Sequence, residues 1–113
     1  MIELAKSQKK IARELIDLGL QRECQSFKTE IKQFTDNSEW ETGNPHEMYL
    51  KLYKIVKTFD KHIARRYDDI RGSQYFNIVL DLFYNEILMP EDIASFDVEI
   101  QNKLVSIKES LDK

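Results

Sequence analysis

Apolar residues recur along this chain at alternating three- and four-residue steps, and the clearest run lies between Asn44 and Arg71. Tyr49, Leu52, Val56, Phe59, Ile63, Tyr67 and Ile70 fall on one face of a helix wound at about 100° per residue. Lys51, Lys54, Lys57, Lys61 and Arg65 project from the opposite side. The start is well signalled. Asn44 is a capping residue, Pro45 suits the first helical position, and Glu47 sits where a capping-box carboxylate reaches back. Gly72, directly after Arg71, is the expected stop.

The same period runs through the rest of the chain. From Ile2 to Leu18 the stripe is Leu4, Ile11, Leu15 and Leu18; after Gly19 it is Leu20, Cys24, Phe27, Ile31 and Phe34, nearly half a turn out of phase. The pattern favours a break at Gly19, with Leu20 folding back on Leu15, over one helix offering different faces to different neighbours. Thr35 to Gly43 is polar and aperiodic and reads as a connection, in which Trp40 is expected to fold back as a lid or, second, to anchor a partner. Ser73 can cap a fourth helix running to about Met89, apolar nearly all round, which makes it the place where a homodimer would form. Pro90 then opens a last helix, with Ile93, Phe96, Ile100, Leu104, Ile107 and Leu111 as its seam. No alternating run argues for a strand. The expected fold is all-α, a four- to five-helix up-and-down bundle forming one domain over residues 1–113.

Composition narrows the function more than it names one. With 42% apolar and 33% charged residues, 113 residues can bury a core without a disulfide or a structural metal. A formal charge of −3 gives no global attraction to nucleic acid, which is therefore not an expected partner. Cys24, the one cysteine, excludes an internal disulfide and a cysteine zinc site, and its place on an apolar face suits a small hydrophobe. The start lacks a cationic leader with a long apolar run, and no apolar stretch nears the ~20 residues that span a bilayer, so a soluble cytoplasmic protein is expected.

Polar chemistry is densest from His62 to Arg71. His62, Arg66 and Asp69 are spaced so that their heads can meet on a helix flank, where a general acid/base or anion site would use them, with Arg65 beside. The competing reading, a salt-bridge network tying helices together with Arg66 reaching Asp81 or Glu86, is preferred, because alternating charges on adjacent turns are what a paired helix surface carries. His46 and His62 lie too far apart to share a metal, and three glycines make no phosphate-cradling loop. Neither a cofactor nor a catalytic residue is expected. What remains is a protein acting through protein–protein contact, as an adaptor, regulator or immunity-type binder. Its candidate binding residues are Lys51, Lys54, Lys57, Lys61, Arg65 and Trp40. The enzyme alternative gains if His62 and Arg66 line a concave pocket, and loses if they pair off on a convex surface.

Overall fold

The computed structural model describes residues 2–113. Its elements are all helical: α1 (Lys6–Asp36), α2 (Ser38–Thr42), α3 (Pro45–Tyr67), α4 (Tyr75–Tyr84) and α5 (Val98–Leu111), with single 3-10 turns at Gly72–Gln74 and Ile93–Ser95. No strand occurs among the described residues, and none of these helices is long and apolar enough to cross a membrane.

α1 overturns the expected break. It runs unbroken through Gly19, which is buried and keeps a helical φ. A glycine ends a helix by entering the left-handed region, and the flanking Leu18, Leu20, Gln21 and Arg22 hold it in register as good helix formers instead. The shift of phase has another cause. The chain divides into two compact units, one from residues up to Gln21 with Asp69–Lys113, the other from Arg22–Asp68. Each half of α1 supplies its own stripe to its own unit.

In the first unit the buried apolar residues are Leu4, Ala12, Leu15, Ile16, Phe76, Val79, Leu82, Phe83, Leu88, Ile93, Phe96 and Leu104. Most of the length predicted for the fourth helix is there, but it stops at Tyr84. Glu86 adopts φ 60, the Ile87 amide donates to the Leu82 carbonyl (2.9 Å), and the Glu86 amide donates to Phe83 (3.2 Å), which together form a Schellman turn. Chain reversal thereby carries Leu88 into the core. Four residues of α4, Phe76, Val79, Leu82 and Phe83, are covered by the chain itself, and α5 lies against it with Lys108 Nζ 4.6 Å above the Phe83 ring. Pro90 does not open the last helix. It sits in a turn closed by Asp92, whose amide donates to the Met89 carbonyl while its Oδ2 accepts from the Met89 amide at 2.7 Å. α5 begins at Val98, and its cap residue Asp97 donates its amide to Gln8 Oε1 at 2.8 Å. Among the described residues Gln8 is thus the one buried polar side chain, and it spends its carbonyl on a helix end that needs an acceptor.

The second unit is thinner. α2 and α3 start as their caps dictate, with Asn37 Oδ1 accepting from the Glu39 amide at 2.8 Å and Asn44 Oδ1 from the Glu47 amide at 3.1 Å. Between them Gly43 gives room: a Cβ there would stand 2.5 Å from the Glu39 carbonyl oxygen and 3.1 Å from Met48 Cε. α3 ends at Tyr67, four residues short of Arg71, because Asp69 takes the left-handed conformation (φ 56) that Gly72 was expected to take. Aspartate tolerates that region better than most residues, so a glycine was not needed. Met48 is the unit's single buried apolar residue.

Candidate functional site

Everything chemically notable in the second unit is arranged around α3. On the side turned to α1, Phe59 stacks on Phe27 with ring centroids 4.0 Å apart and planes 5° from parallel. One to two turns further along, three α3 side chains converge on one α1 carboxylate. Glu23 Oε1 accepts from Arg66 Nη1 at 2.6 Å and from His62 Nε2 at 2.8 Å, and Oε2 accepts from the Tyr67 hydroxyl at 2.6 Å. Glu23 and Arg66 side chains are only 12% and 14% exposed. Burial alone would raise the Glu23 pKa, but the hydrogen bonds from Tyr67, His62 and Arg66, with the arginine charge, outweigh it and hold the carboxyl below its ordinary 4.5. The same burial, then the bond to Glu23, pushes the Tyr67 phenol well above its ordinary 10. An ionised carboxylate only accepts, so the imidazole Nε2 must carry a proton to bond it.

This cluster differs from the expected one by three members, one lost and two gained. Asp69 lies beyond the end of α3 and takes no part, while Glu23 and Tyr67 were not singled out as polar participants. His62 and Arg66 do come together (Nη1 to Nε2, 3.4 Å), and Arg65 points to solvent. All four clustered groups are satisfied by one another, which is how a structural tie between helices looks. His62 also lines an open cleft of about 490 Å³ with Glu30, Lys54, Ile55, Thr58 and Phe59.

The remaining candidates lie outside that contact. Lys51 is committed to Glu39 (2.6 Å), a bond that raises its pKa. Lys54, Lys57, Lys61 and Arg65 are exposed and have no acid within 4 Å among the described residues. Trp40 belongs to α2 rather than to an irregular loop, and packs half-buried edge-on against Phe34 at 5.4 Å. Cys24 is free and half-buried. No group of three or more potential ligands able to hold a metal exists among the described residues.

Of the stripe expected on one apolar face of α3, Tyr49 and Val56 are exposed, and Leu50 and Tyr53, which that stripe did not include, are exposed beside them. Leu52, Phe59 and Ile63 are half-buried, yet Tyr49 is 60% exposed, Tyr53 55%, Leu50 47% and Val56 44%. Their spacing places the four along successive turns of one outward face, bordered on one edge by Lys54, Lys57 and Lys61. Lys57 Nζ sits 5.9 Å from the Tyr53 ring centroid, and Tyr49 lies between His46 and Tyr53 at 6.3 and 6.5 Å. Asp60 marks the far end of the strip. The clue in the sequence was the pair Tyr49 and Tyr53 one turn apart, since tyrosine is a residue at home where one end is packed and the other wet. Comparison with protein families, curated proteins and solved structures finds no match to this chain.

Proposed function

We propose that this chain acts through protein–protein contact, with the outward face of α3 as its docking surface. The supporting observation is the strip of Tyr49, Leu50, Tyr53 and Val56, each more than two-fifths exposed, in a unit whose only buried apolar residue is Met48. Scattered apolar residues are normal on a surface; adjacent aromatics along one helix face are the usual mark of an interface. Lys54, Lys57 and Lys61 border this face and add charge selectivity, with Arg65 and the Glu39-bound Lys51 further round the helix, and Trp40 serves to hold α2 in place. A homodimer is the other form such contact takes, through apolar surface left over on or near α4, where Tyr84 and Met89 are partly exposed. The test is a photo-crosslinking amino acid at position 53 in the native host. A discrete adduct that is lost with Tyr49→Ala supports the reading; the absence of any adduct across expression conditions refutes it.

A second reading, a small-molecule or phosphoester site at His62, is favoured by one observation: His62 lines the cleft beside Lys54 and Thr58. Against it, Arg66 is spent on Glu23. Shifts of the His62 ring resonances on titration with phosphomonoesters, absent in Lys54→Ala, are the result this reading requires.

A further inference from the structure

We infer that the partner docking on α3 is an acidic amphipathic α-helix, laid along Tyr49, Leu50, Tyr53 and Val56 with its carboxylates facing Lys54, Lys57 and Lys61. This rests on the reading of that face as a docking surface, and three arguments narrow the occupant. The first concerns backbone. The strip lies on a helix whose own amides and carbonyls are satisfied, and no strand edge exists among the described residues to pair an extended peptide. A partner covering it must bring a backbone already hydrogen-bonded, and a helix does so.

The second concerns charge. Lys51 has Glu39, but among the described residues Lys54, Lys57 and Lys61 have no acid within 4 Å, and they run along the same edge of the strip on successive turns. Lys57 already leans over Tyr53, so its ammonium is held at the rim of the apolar surface, where a partner carboxylate is partly desolvated and strongly felt. The third concerns a second copy. Antiparallel pairing of α3 with itself sets the same edge of each helix side by side, the edge that carries Lys54, Lys57 and Lys61, so a second copy supplies no row of carboxylates to meet them.

The probe is a synthetic peptide of roughly three heptads with leucine at the seam and glutamate along one flank, titrated into isotope-labelled protein at low and high salt. A matched peptide with lysine in place of glutamate, anionic phospholipid vesicles and random-sequence RNA serve as comparisons. Amide shifts confined to the stretch from Tyr49 to Lys61, with affinity falling as salt rises, are expected for the acidic peptide. The triple variant Lys54→Glu, Lys57→Glu, Lys61→Glu is expected to weaken it by roughly tenfold or more and to accept the lysine peptide instead, and Tyr53→Ala to weaken it as well. All four side chains are exposed, and an unchanged melt confirms that the variants stay folded. Equal binding of both peptides, shifts elsewhere on the chain, or tighter binding to vesicles or RNA overturns the inference. A crosslinked partner captured at position 53 through a segment that is not an acidic helix overturns it while leaving the docking surface standing; no crosslink at all removes both.

Discussion

Replacing Glu23 by alanine should cost the protein about 2–4 kcal/mol, an unusually large loss for a single side chain on a half-covered helix. The variant strands Arg66, 14% exposed, without the carboxylate that accepts from it at 2.6 Å, and it orphans the Tyr67 hydroxyl and the His62 Nε2 as well. Removing one partner of a buried ion pair typically costs about 3–5 kcal/mol, and the residual water access at both groups lowers that to the range given. Glu23→Gln keeps the volume and one acceptor but places an NH2 among donors, so about 2 kcal/mol is expected. Urea denaturation followed by circular dichroism at neutral pH measures the change. Glu30→Gln, on the same helix and exposed, is the control and should move stability by no more than about 0.5 kcal/mol. Acidity gives an independent readout. Because the folded carboxyl titrates below 4.5, its contribution is complete above that value and disappears as pH falls through the lower folded value. Wild type should therefore lose stability below that point more steeply than Glu23→Gln. A Glu23→Ala loss under about 1 kcal/mol, or identical acid limbs, would refute the view that this carboxylate organises the unit.

Tyr67 gives the alkaline counterpart: its folded pKa is raised, so stability is intact below pH 10 and erodes above it, more in wild type than in Tyr67→Phe, while a phenolate absorbance titration finds one of the five tyrosines resisting ionisation. Gln8→Leu leaves the Asp97 amide without its acceptor and should lower unfolding free energy by about 1–3 kcal/mol, with faster hydrogen exchange at the start of α5. Gly43→Ala forces a Cβ against the Glu39 carbonyl and Met48, for a loss of about 1–3 kcal/mol in the same denaturation assay. Glu86→Gly relieves a left-handed glutamate and should raise the melting temperature, with a gain of up to about 1 kcal/mol.

Helical class and the entry into α3 were legible because both are local: a 3.6-residue period and an Asn-Pro start are readable within a few positions. Helix ends were not. The sequence offers glycines at 19 and 72 as stops, but the turns are made by Asp69 and Glu86, where the surroundings impose a conformation that neither side chain prefers. The site failed to show for a different reason. His62 and Arg66 are visible as a pair on one helix, but the group that binds them, Glu23, stands some forty positions earlier, and nothing local marks it out from the other acids on α1. Tyr67 was read as core for its ring when its hydroxyl decides its place. As for the stripe on α3, periodicity tells which residues share a side of a helix, not how many neighbours arrive to cover that side.

The two units are nested in chain order, and this bears on how the protein is born. Residues Arg22–Asp68 are contiguous, so that unit has all its parts once they leave the ribosome. The other must wait: the bond from Gln8 to Asp97 spans 89 positions, against 44 for the longest bond to Glu23, which by loop closure alone costs about 0.6 kcal/mol more. Until α5 is synthesised, the face of α4 that it covers stays open to solvent in the nascent chain. A stop codon ahead of Leu104 would thus leave the core face of α4 without its covering, and mark the product for chaperones or proteolysis.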